Sequence, residues 1–194
     1  MVNLTRIYTR TGDEGTTALG DLSRTSKNDL RLAAYADVDE ANSCLGVALA
    51  LGNLPEPLPA LITRIQNDLF DVGADLCTPV TVDPAYPPLR VEETYVTRLE
   101  ADCDTYNDQL EKLRSFVLPA GTPGAALLHV ARTVVRRAER STWAALAAHA
   151  DTMNPLTARY LNRLSDLLFI LARVANTPAA GGQGDVLWTP GANR

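Results

Sequence analysis

Between residues 58 and 76 the apolar side chains Leu58, Leu61, Ile62, Ile65, Leu69, Val72 and Leu76 recur at steps of three and four. That step is the pitch of an α-helix with one buried face, and it excludes a half-buried strand, whose side chains alternate with period two. The stripe predicts a helix from about Pro57 to about Cys77, and similar spacing returns along the chain. Leu32, Tyr35, Val38, Ala41, Leu45 and Leu49 mark a helix from Asp29 to about Gly52. Tyr95, Leu99, Tyr106 and Leu110 give the inner face of a more polar helix from Glu92 to Leu113. A fourth helix is expected from about Gly124 to His149. A fifth runs from about Asn154 to Asn176, with Pro155 suited to its first turn. No segment alternates as a strand would. Five long helices with short connections read as an all-α, up-and-down five-helix bundle.

A chain of 194 residues has room for one proper core and falls short of two. The whole chain is therefore one domain: an opening segment over 1–28, helices over about 29–176, and a tail over 177–194. Residues 78–91 carry Pro79, Pro84, Pro87 and Pro88 and must be loop, and "RSFVLPAGTPG" (114–124) is a second connector. In the tail, Val186, Leu187 and Trp188 are the residues able to anchor it.

Charge and cysteine content remove several function classes. The net charge of −5 lacks the basic footprint of a nucleic-acid binder. No run of 18 apolar residues and no basic-then-apolar leader is present, so a cytoplasmic protein without a membrane partner is expected. Cys44, Cys77 and Cys103 form no Cys-x-x-Cys pair and read as free thiols in a reducing compartment. His129 and His149 are the only histidines, and neither completes a Glu-x-x-His pair, which rejects a ferritin-like metal bundle. No residue is singled out as a metal ligand.

Three places carry chemistry. In "ARTVVRRAER" (131–140), Arg132, Arg136 and Arg140 stand at i, i+4 and i+8 and form one stripe, although like charges at that spacing repel. The stripe is either a solvated basic face partly offset by Glu139 or a polyanion site, because guanidinium forks pair with phosphate oxygens. On the fifth helix, Asn162, Ser165, Asp166 and Phe169 share a face. Asn162 is either a satisfied core amide or a ligand contact. On the first, Asp37, Asp39 and Glu40 lie too far in to be an ordinary acidic helix start, which makes Asp39 a candidate partner for a basic residue elsewhere. The opening "RIYTRTGDEGTTALGDLSRTSK" (6–27) has no apolar period. It offers hydroxyls and approachable backbone N–H groups suited to phosphate, without a Gly-x4-Gly-Lys-Ser/Thr loop.

"IYTRTGDEGTTALG", the "SK" at Lys27, "AYADVDEANS", "RTVVRRAER" and "YLNRLSDLLFILAR" follow in this order. Together they resemble the PduO-type ATP:cob(I)alamin adenosyltransferases, the corrinoid adenosyltransferases, over about residues 5–175. The resemblance implies a homotrimer with active sites between adjacent subunits and an opening segment that wraps ATP. By resemblance, Thr9, Arg10, Thr11, Gly12, Thr17, Ala18 and Lys27 contact ATP, joined by Arg136, Arg137, Glu139 and Arg140 from the fourth helix and Asn162 from the fifth. Phe116 matches the aromatic that displaces the lower axial ligand of cobalt. Asp39 and Arg132 match an ion pair across the subunit boundary that shapes the corrin pocket. Members usually carry Lys at the position of Arg10 and Gly at that of Ala36. Trp188 is the candidate for the C-terminal aromatic that closes the corrin pocket.

The implied reaction moves the 5′-deoxyadenosyl group of ATP to the cobalt of cob(I)alamin and releases triphosphate. Cobalt is the nucleophile, so no protein nucleophile or base is needed. Phe116, Asp39, Arg132 and Arg136 are the expected catalytic residues, with Mg²⁺ as cofactor. A flavin-type reductase upstream and a B12-dependent mutase downstream are the partners such chemistry would have. The alternative is a non-catalytic ATP- or corrinoid-binding sensor or delivery protein.

Overall fold

The computed structural model describes residues 7–84 and 86–192; the first six residues of the opening segment and the last two of the tail lie outside them. Among the described residues the chain is mostly helical. It has α1 (Leu30–Leu51), α2 (Leu58–Cys77), α3 (Glu93–Asn107), α4 (Pro123–His149) and α5 (Leu156–Ala175). None of these helices is long and apolar enough to cross a membrane.

Local chemistry sets the helix ends. The Asp29 carboxylate accepts from the Arg31 N–H at 2.8 Å and starts α1. The Thr122 hydroxyl does the same for α4, accepting from the Ala125 N–H at 3.1 Å, with Pro123 in the first turn. Gly52 closes α1 where the chain meets the start of α4. A Cβ there would stand 3.1 Å from the Gly124 Cα and 2.3 Å from the Ala48 carbonyl. At the opposite ends of these helices, the His149 ring lies 2.9 Å from Asp29, so α1 and α4 run antiparallel.

Spatial order differs from chain order. α1 packs on α2 and α4, and α4 and α3 pack on α5. Leu45, Ile62, Ile65, Leu128, Leu161, Leu164 and Leu168 meet in the common core, all fully buried. α2 and α3 are joined instead by long polar side chains. Arg64 pairs with Asp102, Arg98 donates to Asp68 at 3.0 Å, and the Tyr95 hydroxyl donates to Asp71 at 2.9 Å. Burial pushes the Asp68 carboxyl up, against the pull of Arg98 and the Tyr160 hydroxyl.

Two expectations need correction. α3 ends at Asn107 rather than near Leu113, and a turn from the Leu110 N–H to the Asn107 carbonyl follows. Asn107 and Asp108 favour turns over helix interiors, which outweighs one apolar residue further on. The opening segment, expected to lack strands, forms an antiparallel pair, β1 (Thr16–Ala18) and β2 (Arg24–Ser26). Thr16 faces Ser26, Thr17 faces Thr25 and Ala18 faces Arg24. Strands of three residues are too short to display alternation. This pair is held by Arg24, which donates to the Thr11 carbonyl at 2.7 Å and the Thr16 hydroxyl at 2.6 Å, and by buried Leu19.

His129 is 2% exposed inside α4, and neither ring nitrogen has a hydrogen-bond partner among the described residues. Burial, then the Arg132 charge one turn on, hold its pKa below the usual histidine range, with Asp185 opposing weakly. A histidine depressed in the folded state is neutral there while the unfolded chain takes a proton below about 6.5. Stability is therefore highest above that pH and falls as pH drops towards the lowered folded value. Melting temperature measured from pH 8 to pH 5 should fall less in His129→Leu than in the native chain; equal slopes would show that the ring protonates freely.

Candidate active site

The opening segment builds the first half of the site. Gly12 lies so close under Lys27 that a Cβ would meet its Nζ at 3.0 Å, so glycine lets the ammonium settle over the loop. The Lys27 N–H donates to the Gly15 carbonyl at 2.9 Å, and Gly15 takes a left-handed φ of 78°. Thr9 and Thr11 share a hydroxyl contact of 2.9 Å, and Arg10 (φ 63°) lies over the Tyr8 ring at 5.8 Å. Ala18 is exposed on β1, so its backbone, not its side chain, is what it can offer. Thr17 and Lys27 line a small depression of about 300 Å³ with Leu32, Ala33, Tyr35 and Ala36 of α1. The hairpin is tied to the bundle where the Gly20 N–H donates to the Cys77 carbonyl at the end of α2, and where the Thr25 hydroxyl donates to the Asp29 carboxylate at 3.0 Å.

α4 and α5 build the second half. Arg136 and Arg140 are exposed, with no hydrogen bond or ion pair among the described residues. Between them Glu139 accepts from the Asn162 amide at 3.1 Å, so Asn162 is neither a core amide nor free. The two helices thus present two open guanidinium groups around one oriented carboxylate. Arg137 is placed differently. It turns to α1 and pairs with Glu40 and, at 3.3 Å, with Asp37; the Glu40 hydrogen bond, against slight burial, raises its pKa further. Contact with a nucleotide would require Arg137 to leave those acids.

One turn before Arg136, the stripe enters an apolar pocket of about 640 Å³. Leu113, Arg114, Ser115, Phe116, Val117, Arg132 and Phe169 line it. Phe116 is 77% exposed, so it is no core plug. Its ring stands against Trp188 of the tail, centroids 5.8 Å apart in a T-shaped arrangement. Arg132 is half-buried, and burial followed by the neighbouring Arg136 charge lowers its pKa. Its Nε is buried with no hydrogen-bond partner among the described residues. Asp39 is exposed on α1 and has no ion-pair partner within its own chain among the described residues.

The structure therefore brings Phe116 and Arg132 together, and Arg136, Glu139, Arg140 and Asn162 together. It gathers Thr9, Gly12, Thr17 and Lys27 in a separate segment. No hydrogen bond or ion pair among the described residues joins residues 7–28 to Arg132, Arg136 or Arg140. The pocket role of Phe169 went unread in the sequence. Its signal was its place seven residues after Asn162, two turns along the same face.

Known proteins resemble this chain along its length. The family model for cobalamin adenosyltransferase matches residues 7–175. A corrinoid adenosyltransferase of Mycobacterium tuberculosis is 61% identical over 193 residues, covering 100% of this chain and 97% of that protein. A cobalamin adenosyltransferase of Cupriavidus metallidurans is 49% identical over 185 residues, covering 95% of each. Among solved structures, a variant PduO-type ATP:corrinoid adenosyltransferase of Lactobacillus reuteri, complexed with cobalamin and ATP, superposes with a TM-score of 0.84. It is 36% identical, and the match covers 94% of this chain and 99% of that one. With a helical scaffold, a phosphate-suited opening segment and an arginine stripe leading into an aromatic pocket, the chain belongs to the cobalamin adenosyltransferase family.

Proposed function

We propose that α4 is the axis of the reaction, with triphosphate held at Arg136 and Arg140 and the corrin held beside Arg132 and Phe116. The protein transfers the 5′-deoxyadenosyl group of ATP to the cobalt of cob(I)alamin. Cobalt supplies the electron pair for the new Co–C5′ bond, the C5′–O bond breaks, and triphosphate leaves with the pair of the broken C5′–O bond. The observation that carries the assignment is the continuity of the stripe. Arg132 lines the apolar pocket while Arg136 and Arg140 stand open along the same helix, about 6 Å and about 12 Å further on. Nucleophile and leaving group are then neighbours, and the protein's work is positioning and charge stabilisation.

In this reading Thr9, Arg10, Thr11, Gly12, Thr17, Ala18 and Lys27 close over ATP from the opening segment. Asn162 orients Glu139, and Arg137 completes the site once released from Asp37 and Glu40. The separation of the two half-sites supports a homotrimer of helical bundles, with the opening segment of one subunit meeting α4 of the next. Asp39 and Arg132, both lacking an ion-pair partner among the described residues of their own chain, would pair across that boundary. Phe116 occupies the space of the lower axial ligand. Removing that donor raises the cobalt potential, so that bound cob(II)alamin is reducible by a flavin-type reductase. A cytoplasmic setting suits such a donor and a B12-dependent mutase that receives the product.

No group of three or more His, Cys, Asp or Glu side chains converges to hold a metal among the described residues. Mg²⁺ commonly binds through substrate phosphates and one or two carboxylates. Glu139 would be the carboxylate that holds it, and the charge of the triphosphate would then be shared between that ion and the arginines. Anaerobic incubation with reduced cobalamin and Mg-ATP should give a light-sensitive Co–C product in the visible spectrum together with triphosphate. Binding of both ligands without that product would make the protein a sensor or delivery protein instead.

A further inference from the structure

Asn176, buried at the end of α5, belongs to neither half of the site, yet it bonds both the connector that carries Phe116 and the tail that pairs with it. It is 1% exposed. Its Oδ1 accepts from the Thr122 N–H at 2.9 Å, and its Nδ2 donates to the Ala120 carbonyl at 3.0 Å. Both belong to the connector that carries Phe116. Its own carbonyl accepts from the Gly184 N–H of the tail at 2.8 Å. The surroundings are shaped to admit it. Gly121 has a φ of 113°, and a Cβ there would fall 2.0 Å from the Asn176 Oδ1; one on Gly182 would fall 2.2 Å from the Asn176 carbonyl.

From this knot the tail runs back along the connector. The Leu118 N–H donates to the Val186 carbonyl at 2.7 Å, and the Trp188 N–H donates to the Phe116 carbonyl at 2.8 Å. The Ser115 hydroxyl donates to the Trp188 carbonyl at 2.7 Å. Backbone on both sides of the Phe116 ring is thus fixed by the tail, and connector and tail alike are fixed by Asn176.

We propose that Asn176 is a positioning residue for Phe116, acting through the pairing of residues 115–118 with 186–188. An exposed ring has few packing contacts to define its place, so its backbone must be set from elsewhere. A side-chain amide accepts from one connector group and donates to another from the same planar end. The inference rests on the assignment of Phe116 to the lower face of the corrin.

Asn176→Asp keeps the shape and replaces the donor to Ala120 with an acceptor. Ser115→Ala removes an exposed hydroxyl and leaves the buried knot intact. Each is compared with the native chain and Phe116→Ala for turnover on cobalamin and on cobinamide, which lacks the lower ligand. The electron paramagnetic resonance spectrum of bound cob(II)alamin is recorded alongside. Asn176→Asp should lower the cobalamin-to-cobinamide rate ratio at least fivefold and increase the signal of cobalt retaining its lower ligand. Ser115→Ala should move both in the same direction, and neither should change the KM for ATP. In the Phe116→Ala background Asn176→Asp should change the ratio no further. An unchanged ratio in Phe116→Ala itself would overturn the Phe116 assignment. A lowered ratio there, with a native ratio in Asn176→Asp, would overturn the role of Asn176. Should Asn176→Asp fail to fold, a native ratio in Ser115→Ala would overturn the pairing through which Asn176 acts.

Discussion

Replacing Arg136 with alanine should lower kcat/KM for ATP at least about tenfold while the protein folds and assembles as before. The guanidinium is exposed, so truncation removes no core contact. A charge-assisted hydrogen bond to phosphate contributes roughly 1.5–3 kcal/mol, and each 1.4 kcal/mol is about a factor of ten. If Arg136 stabilises the departing triphosphate, kcat falls with it; if it only holds bound ATP, the loss is confined to KM. Steady-state kinetics at varied Mg-ATP, with a sedimentation measurement of assembly, provide the check. Native kinetics in Arg136→Ala would remove the stripe from the nucleotide site.

The second large effect belongs to Phe116. Phe116→Ala should depress formation of product from cob(II)alamin under mild reduction by at least about tenfold, the rate equivalent of about 1.4 kcal/mol. Cobinamide, with no lower ligand to displace, should be affected far less, and the KM for ATP should stay put. A buried phenylalanine would lose about 3–5 kcal/mol of stability on truncation. Phe116 is 77% exposed and meets mainly Trp188, so the melting temperature should change little. Equal losses on both corrinoids with a large drop in melting temperature would return the ring to a packing role.

The helices were legible because each carries enough turns for its apolar period to stand out. α1, α2, α4 and α5 begin and end within two residues of where the spacing and the capping residues put them. α3 was overextended because Leu110 continued the pattern past Asn107 and Asp108, whose turn chemistry prevails. The hairpin at 16–26 was invisible because its pairing lies in backbone bonds and a single arginine clip, neither of which leaves a periodic mark. In the site, the arginine stripe followed from helical spacing, whereas its fate did not. Arg136 and Arg137 are adjacent in the chain, yet one is open and the other is engaged by two acids about 100 residues away. The partnership of Phe116 with Trp188 joins residues |i−j| = 72 apart and depends on how the tail returns, which no local pattern encodes.

The polar seam between α2 and α3 does more than attach one helix to another. Arg64 sits on α2 and faces an acid, while four residues later Asp68 faces an arginine, so the charges swap sides along the seam. Sliding α3 by one turn in one direction would bring Arg98 opposite Arg64; sliding it the other way would bring Asp102 opposite Asp68. Oil-like contact between helices tolerates such slips, because one apolar turn resembles the next. Like charges meeting in a half-buried seam do not. The most weakly apolar helix of the protein thus proofreads its own alignment, and the connector that leaves its end starts from a fixed height on its way to Phe116.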